Sequence, residues 1–343
     1  MRAKDGAKRA PTESDVAKLA GVSQSAVSRA FTPGASVAES TRDKILKAAR
    51  ELGYHPNMMA RTLATNRSNI VALAISYLEN PFYAQVVREL SEKLRETGRH
   101  ILLFATSPDG KADPALEDVL SYKVDALILT ATTASHELAV QCQATGVPIV
   151  QINRESKLPG ISTVRGPNEL ASSEIAEFLF AGQHKRYAFI GGTVESGTSK
   201  VRENAFVGRL RELGVEDVLV AHGDYTFEGA ATVTRRLLTL DQPPDAIFCA
   251  SDYMAFATLD VAKREFNLKV PDDLSVIGFD NVPAASRFAW DLTTYSQPAG
   301  ALVDAAIDII DSMIARPGRR AQRREVSGEL ILRGSAKRPK NRS

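Results

Sequence analysis

The stretch DVAKLAGVSQSAVSRAF, from Asp15 to Phe31, decides the fold of the N-terminal part of this chain. It crowds alanine, valine and small hydroxyl residues around a single glycine. Thr12 and Asp15 are typical of a helix N-terminus, Gly21 permits a sharp reversal, and Ser23 can cap a second helix that runs to about Phe31. The pattern therefore predicts two short helices joined by a tight turn.

A third helix is predicted over STRDKILKAARELG, with Ser40 as its cap and Gly53 at its end. Its apolar stripe has helical spacing and consists of Ile45, Leu46, Ala49 and Leu52. Three short helices with a glycine-containing turn predict a helix-turn-helix domain.

The second helix carries small residues toward the first helix and short polar residues on its other face. A recognition helix has to enter a major groove about 12 Å wide, where Gln and Arg make paired hydrogen bonds to adenine and guanine edges. A helical hairpin with a solvated polar face is the alternative that periodicity alone leaves open. The predicted DNA-binding residues of this domain are Thr12, Ser23, Gln24, Ser25, Ser28 and Arg29.

The core sequence alternates short β-branched segments, such as NIVALAIS, VPIVQIN and LSVIGFD, with helical patterns. This alternation predicts parallel sheets that are covered by helices on both faces. Some 260 residues of it exceed one doubly wound domain, so two similar lobes are expected. Ligands of such sheets bind beyond the carboxyl ends of the strands, which here would face a shared cleft.

Several longer segments resemble the LacI family of bacterial transcriptional regulators. DVAKLAGVSQSAVSRAF and STRDKILKAARELGYHPNMMARTLAT resemble the family's N-terminal headpiece. NPFYAQVVRELSEKLRETGRHILL, SDYMAFATLDVAKREFNLKVPDDLSVIGFDN and LTTYSQP resemble its ligand-binding core, so the likeness extends over roughly residues 12–335. The resemblance implies a repressor whose affinity for operator DNA is modulated by a small polar effector, a sugar or a sugar derivative.

The expected fold is an all-α helix-turn-helix headpiece followed by a two-lobed, periplasmic-binding-protein-like α/β core with parallel sheets. The boundaries expected from the sequence are a DNA-binding domain over 12–56, a hinge helix or linker over 57–67, an effector-binding and dimerisation core over 68–335, and a basic tail over 336–343.

Polar and aromatic side chains follow the predicted strands at the places where a cleft would lie. Asn80 can cap a helix that begins with Pro81. Aromatic rings, guanidinium groups and carboxylates together suit a hydroxylated small molecule. Asp252 stands directly before a helix, so capping is an alternative role for it. The effector-contacting residues that the resemblance implies are Phe82, Tyr83, Arg154, Arg202, Asp252, Asp280 and Phe288.

Four positions depart from the family's usual pattern. Pro167-Asn168 stands where an Asp-Asn pair is usual, Gln183 and Ala205 replace glycines, and Trp290 replaces a proline. These departures leave the identity of the effector open.

The segment YHPNMMARTLATNRSN joins the two predicted parts. Pro56 blocks continuation of the third helix, and MMARTLA is too short to persist alone as a helix in water. The resemblance implies a hinge that folds when paired with its twin in the DNA minor groove, through Asn57, Ala60 and Leu63. It therefore implies a homodimer on a palindromic operator. A plain interdomain linker is the alternative.

Charge is distributed unevenly along the 343 residues. Residues 1–67 hold 12 Lys and Arg against 6 Asp and Glu, and residues 316–343 hold 10 against 2, which leaves a net −12 on the 248 residues between them. Basic ends on an acidic body favour a nucleic-acid partner for the N-terminal part. For RPGRRAQRRE near the C-terminus, a solvated basic segment is the simpler interpretation.

Other function classes find little support in the sequence. The chain shows no apolar segment of membrane-spanning length and no signal peptide, so a cytoplasmic, nucleoid-associated protein without membrane partners is expected. Cys142 and Cys249 are expected to be small core residues. Hydrolase, zinc-protease and nucleotide-binding motifs are lacking, so we expect no catalytic residue, no metal and no cofactor. The alternatives are a transporter's solute-binding protein and a regulator whose core answers to a protein partner or to no ligand.

Overall fold

The computed structural model describes residues 9–32, 35–55, 67–106, 118–156 and 158–339. The chain divides into two compact units after Ser68. The first unit is helical and the second is the α/β core, and each unit is described here by itself.

The helical unit contains the three predicted helices: α1 (Glu13–Ala20), α2 (Gln24–Ala30) and α3 (Glu39–Leu52). Val16, Val27 and Ile45, one from each helix, are completely buried against one another. Small residues next to them, such as Ala17, Ala30 and Ala49, permit the close approach of the helices.

Three details of the helical unit differ from the sequence prediction. Helix α3 begins at Glu39 and not after Ser40, because the backbone N–H groups of Thr41 and Arg42 already donate to Ala38 O. Leu52 belongs to the apolar stripe predicted for α3, and Leu19 belongs to the apolar face that its spacing from Val16 predicts for α1, but they are 37% and 50% exposed. The interior of this small unit is filled by Val16, Val27, Ile45, Tyr54 and the neighbouring alanines, and the two leucines lie at its edge.

The core consists of two α/β lobes, as the alternation of segments predicted. The first lobe contains β1 (Ile70–Ile75), α4 (Pro81–Glu96), β2 (His100–Ala105), β3 (Ala126–Thr130), α5 (His136–Thr145), β4 (Ile149–Ile152) and β5 (Ile161–Arg165). The second contains α6 (Asn168–Ala181), β6 (Tyr187–Gly191), α7 (Gly197–Glu212), β7 (Val218–His222), α8 (Phe227–Leu238), β8 (Ala246–Cys249), α9 (Asp252–Asp260), β9 (Ser275–Asp280) and β10 (Thr293–Ser296). The chain then continues through α10 (Ala299–Ala315), β11 (Arg323–Glu325) and β12 (Leu330–Ile331).

Each lobe is built on a six-stranded sheet. The strand orders are β11-β5-β4-β3-β1-β2 in the first lobe and β12-β10-β9-β8-β6-β7 in the second. All pairs are parallel except β10 with β12, which is a two-residue antiparallel ladder. Parallel pairing places the carboxyl ends of neighbouring strands along one edge of each sheet, which is where the polar residues described below lie.

The chain passes between the lobes three times, after β5, after β10 and after β11. The C-terminal segment is packed further than the sequence predicted. Ser335 Oγ donates to Val276 O over 2.6 Å, Ala336 is 3% exposed, and Lys337 N donates to Ser275 Oγ over 2.9 Å. Residues 336 and 337 are therefore part of the second lobe and not of a free basic tail.

Aromatic rings fill the second lobe. Phe248 lies 5.2 Å from both Phe189 and Phe206, and Phe279 is stacked on Tyr295 at 5.5 Å. Cys142 and Cys249 are both completely buried, as expected for small core residues. No helix in the described ranges has the length and apolarity needed to cross a lipid bilayer.

Gln183 occupies a strained backbone position, which leads to the first prediction. It follows α6 with a φ of 61° and is exposed. This left-handed conformation costs a non-glycine residue about 1–2 kcal/mol, of which the greater chain entropy of unfolded glycine offsets roughly half. We therefore expect Gln183→Gly to raise the free energy of unfolding of the core by about 0.5–1 kcal/mol in urea titrations.

Gln141 supplies the matched control, since it is exposed in the middle of α5 (His136–Thr145). Gln141→Gly should lower stability by up to about 1 kcal/mol, the opposite sign. Destabilisation by both changes would show that the Gln183 side chain contributes contacts that outweigh its backbone strain.

Candidate nucleic-acid interface and ligand cleft

Hydrogen bonds cap both α1 and α2 at their N-termini, and a glycine turn joins the two helices. Thr12 N and Thr12 Oγ1 donate to Asp15 Oδ2 over 2.9 and 2.6 Å, and these bonds lower the pKa of Asp15. Gly21 ends α1 with a φ of 65°, and Ser23 Oγ accepts from Ala26 N over 3.3 Å at the start of α2. The two helices are thereby joined as the sequence predicted.

The outer face of α2 is polar and exposed. Ser23, Gln24, Ser25, Ser28 and Arg29 are all exposed, while Thr12 is half-buried at the start of α1. Arg29 Nε donates to Ser25 O over 3.2 Å, which leaves its terminal guanidinium nitrogens to project from the helix. The structure therefore brings five of the six predicted headpiece residues onto one short helix and its cap. The predicted hinge residues Asn57, Ala60 and Leu63 lie outside the described residues.

Arg42 is a positioning residue that sequence reasoning did not find. Its Nη1 donates to Ala30 O over 2.6 Å and its Nη2 to Ala35 O over 3.1 Å. These bonds satisfy the carbonyl at the end of α2 and fix the loop that follows it. A basic residue in the first turn of α3, where acids are favoured, was the available signal.

Strand ends from both lobes converge on a narrow polar cavity of about 30 Å³, room for about one water molecule. Asn80 caps α4 by accepting from Phe82 N over 3.0 Å, with Pro81 in the first helical position. This cap brings Phe82 and Tyr83 to the cleft. The remaining lining residues that the argument uses are Tyr77, Asn153, Arg154, Thr198, Arg202, Tyr225, Asp280 and Gln297.

Arg202 is the most constrained of these side chains and is only 3% exposed. Its Nε donates to Asn168 Oδ1 over 2.8 Å and its Nη1 to Ala250 O over 2.5 Å. Its guanidinium carbon lies 3.5 Å from the centre of the Phe279 ring. Hydrogen bonds and a cation–π contact therefore compensate for the burial of this charge.

Asp280 lies beside Arg202 at the end of β9 and is 4% exposed. Its Oδ1 accepts from Gln297 Nε2 over 2.7 Å. Burial raises the pKa of Asp280, against the opposing attraction of Arg202, and the nearby carboxyl of Asp252 raises it further. The φ of Asp280 is 127°, a conformation that residues other than glycine rarely adopt and that is often found at ligand sites.

Two predicted effector residues lie away from the cavity. Asp252 is completely buried behind it, where its carboxylate accepts from Val282 N over 2.8 Å and from Thr294 Oγ1 over 2.5 Å. It does not cap α9, since Ser251 Oγ accepts from Met254 N. Phe288 is fully exposed on the loop after β9 and does not line the cavity. Both placements depend on how the loop over 281–292 folds back, which strand-end spacing does not reveal.

Arg154 is the cleft cation that remains available to a ligand. It is half-buried between the cavity and a lateral pocket, and within the described residues its guanidinium makes no hydrogen bond or ion pair. Asn153 Oδ1 and Gln297 Oε1, which also face the cavity, are buried and accept no hydrogen bond from the part of the chain that the structure describes. Buried acceptors of this kind are costly unless a donor reaches them.

The lobes contact each other across the cleft. Thr198 Oγ1, on α7 in the second lobe, donates over 2.6 Å to Asn153 O at the end of β4 in the first. Tyr77 and Tyr225 meet edge to face with ring centres 5.8 Å apart. Sequence analysis missed Tyr77, Thr198, Tyr225 and Gln297, although Tyr77 and Tyr225 follow strand ends and the same rule would have found them.

Comparisons with known proteins identify the family of this chain. The model of the lacI family of bacterial regulatory proteins matches residues 12–57, and that of the periplasmic binding protein-like domain matches residues 176–336. The chain is 32% identical over 331 residues to the HTH-type transcriptional repressor CytR of Escherichia coli (strain K12), covering 96% of this chain and 97% of that protein. The chain belongs to the LacI family of bacterial regulatory proteins. As a member of this LacI family it is a DNA-binding transcriptional regulator and not an enzyme.

Further LacI-family relatives share its full length. The ribose operon repressor of the same organism is 31% identical over 95% of this chain and 99% of its own. Among solved structures, the complex of the transcriptional regulator CelR with cellobiose is 28% identical, with a TM-score of 0.71 over 95% of this chain and all of that one. The lac repressor dimer bound to operator and the anti-inducer ONPF, at 24% identity, shares the fold with a TM-score of 0.83 over 95% of this chain and 99% of that one.

The departures from the LacI-family pattern have local structural roles. Asn168 accepts the Arg202 bond described above, while Pro167 stands at the start of α6 without a side-chain cap. Trp290 stacks on Phe256 with ring centres 4.2 Å apart, so it packs the loop that carries Phe288 against α9. Ala205 lies inside α7, where alanine is a better helix former than glycine.

Asp280→Asn tests the electrostatics of the cleft. The variant keeps the oxygen that accepts from Gln297 but removes the buried carboxylate. Because burial raises the folded-state pKa of Asp280, the contribution of this carboxyl to wild-type stability should fall as pH rises through the range from about 4 to about 8. We expect the variant to lose this decline and to be at least as stable as wild type at the upper end, measured by urea unfolding across that range.

Asp217→Asn, at an exposed position, is the control and should leave the pH dependence unchanged. A loss of stability at every pH in Asp280→Asn would mean that attraction between the carboxylate and Arg202 outweighs the cost of burial.

Proposed function

We propose that the protein is a repressor that binds a palindromic operator as a homodimer and changes its operator affinity when a small hydroxylated molecule binds between the core lobes. The proposal rests on two features that occur in the same chain. Helix α2 is polar and exposed, and the cleft contains the guanidinium of Arg154 and the acceptors Asn153 Oδ1 and Gln297 Oε1, which have no hydrogen-bond partner among the described residues. A cytoplasmic, nucleoid-associated location follows from binding to operator DNA.

The DNA-binding side of the proposal rests on α2. Arg29 and Gln24 project from the exposed face and have the side chains that read guanine and adenine edges in the major groove. Ser25 and Ser28 beside them suit bases or phosphates. Ser23, at the start of α2, offers a hydroxyl donor to a phosphate, whereas Thr12 contacts one by exchanging a bond that it donates to Asp15. We assign Asn57, Ala60 and Leu63 to a hinge in the minor groove, where a leucine can wedge between base steps.

Self-association is favoured by apolar side chains that the isolated fold leaves in solvent. Edge strand β2 exposes Leu103 to 45%, and edge strand β7 exposes Leu219 and Val220 to 36% and 40%. Phe288 is fully exposed and adds nothing to the packing of the core. Exposed apolar residues on the edge strands of both lobes fit a contact with a second copy. Two copies related by a twofold axis require two symmetric half-sites, hence a palindrome.

The ligand side of the proposal rests on unsatisfied hydrogen bonding. Hydroxyl groups of a sugar can donate to Asn153 Oδ1 and Gln297 Oε1 and can accept from Arg154, while Tyr83 and Tyr225 cover the apolar faces of its ring. The relatives named for ribose and crystallised with cellobiose make sugars the first class to test. A nucleoside, which also carries a sugar ring, is the second.

The small volume of the cavity supplies a route from ligand to DNA. A space of about 30 Å³ is too small for a sugar, so binding requires the lobes to move apart or cleft side chains to rotate. Either change disturbs the bond from Thr198 to Asn153 and the contact between Tyr77 and Tyr225. A ligand that favours one lobe arrangement thereby shifts the equilibrium between regulator states.

Arg29→Ala tests base reading on an operator selected from random DNA by the protein itself. We expect a loss of about 1–3 kcal/mol at the selected operator and a smaller loss on unrelated DNA, measured by fluorescence anisotropy at fixed salt. Arg236→Ala, at an exposed position on α8, is the control and should change neither affinity. Equal losses of binding free energy on both DNAs would indicate that Arg29 contacts a phosphate and not a base.

Arg154→Ala tests the cleft after a thermal-shift screen of the full chain against pentoses, hexoses, disaccharides and nucleosides. A binding compound should stabilise the wild type by mass action. Because Arg154 makes no bond within the described residues, its loss should leave folding and operator affinity intact. It should reduce ligand affinity by about tenfold or more, the range of a charge-assisted hydrogen bond, and abolish the ligand's effect on operator binding.

Arg202→Ala is a poorer probe because it also removes bonds to Asn168 and Ala250. A screen in which no compound stabilises the wild type would favour the alternative in which the core answers to a protein partner or to no ligand.

A further inference from the structure

A second cavity, of about 480 Å³, opens beside the narrow one. The two share Tyr77, Asn80 and Tyr225 as a common wall, but Arg154, Arg202 and Asp280 line only the narrow one. The larger space, here called the outer cavity, is lined by Tyr77, Glu79, Asn80, Thr193, Asp224, Tyr225, Thr226, Phe227, Glu228 and Tyr253. It is large enough for a small organic molecule, and the sugar site proposed above does not use it.

Four aromatic rings line the outer cavity in two pairs. Tyr77 and Tyr225 meet edge to face at 5.8 Å, and Phe227 and Tyr253 meet at the same distance with an interplanar angle of 55°. Tyr225, Phe227 and Tyr253 are only partly buried, so part of each ring is open to the cavity. Rings arranged around a space offer their negative faces to a cation.

The polar groups of the outer cavity carry negative charge. Glu79, Asp224 and Glu228 are exposed at its rim, none makes an ion pair within the described residues, and the lining contains no lysine, arginine or histidine. After burial, the charges of Glu228 and then Glu79 are the causes that raise the pKa of Tyr253, so both carboxylates lie near that ring. The N-terminus of α8 contributes about half a positive charge, which offsets only part of three carboxylates.

We propose that the outer cavity is a binding site for an organic ammonium group, held between the rings of Tyr225, Phe227 and Tyr253 and the carboxylates of Glu79, Asp224 and Glu228. Aromatic faces favour a weakly hydrated ammonium over a metal ion, and the carboxylates favour it over a neutral apolar group. The inference goes beyond the proposed function, because it concerns a different cavity and a different ligand class. Through the shared Tyr225, occupancy of one cavity would also affect the other.

Choline is the probe, and 3,3-dimethylbutan-1-ol, its uncharged isostere of the same shape, is the chemical control. Calorimetric titration of the full chain without DNA should show saturable binding of choline. The isostere should bind at least about tenfold more weakly, because it lacks the charge that both rings and carboxylates recognise.

Variants locate the binding. Tyr253→Leu keeps an apolar side chain but removes a ring, and it should weaken choline binding by about threefold to thirtyfold, the range of a partly desolvated cation–π contact. Glu228→Gln should weaken choline binding and leave the weak binding of the isostere unchanged. Glu216→Gln, an exposed acid outside the cavity, should have no effect. Melting curves establish that each variant is folded.

Absence of choline binding at millimolar concentration, equal binding of the two probes, or binding that Tyr253→Leu and Glu228→Gln leave unaltered would each overturn the proposal. None of these outcomes bears on operator binding or on the sugar screen, so the proposed function is tested independently by those two experiments.

Discussion

The buried guanidinium of Arg202 is the interaction on which the organisation of the cleft depends. A charge that is only 3% exposed has to be compensated by its surroundings. Its partners come from α6 through Asn168, from the end of β8 through Ala250 O, and from β9 through Phe279. Meeting the bonding requirements of one side chain thus fixes a helix and two strand ends relative to α7.

The same interaction joins the interior of the second lobe to the cleft. Phe279 stacks on Tyr295 and contacts Phe248, so the ring beneath Arg202 belongs to the aromatic core of the lobe. Asp280, the next residue, is held beside the guanidinium in a strained backbone conformation. The cleft floor is therefore held firmly, whereas Arg154 on the opposite lobe has no bonding partner among the residues that the structure describes. An asymmetric site of this kind suits a ligand that binds to a fixed surface and also contacts Arg154 on the other lobe.

The helical unit follows a different principle, because small residues fill the contact between its helices. Val16, Val27 and Ile45 with the neighbouring alanines allow α1 and α2 to pack closely, and this leaves the polar face of α2 free. Arg42 completes the arrangement by bonding the end of α2 to the following loop. The function of the helical unit depends on the side chains that α2 exposes to solvent, while the function of the core depends on the side chains that its lobes bring together in the cleft.

The sequence by itself determined the parts of this protein that local chemistry controls. Caps such as Thr12, Ser23 and Asn80, together with apolar periodicity, located the helices and strands. The positions of strand ends and the family resemblance together predicted Tyr83, Arg154, Arg202 and Asp280, which line one cavity. Only the tertiary structure decided that Asp252 braces Val282 and Thr294 behind the cleft, that Phe288 points into solvent, and that Tyr225 and Gln297 line the cavity. Those placements depend on loops and crossovers that join residues 30 or more positions apart, and the direction in which a loop folds back is set by packing partners that no local pattern encodes.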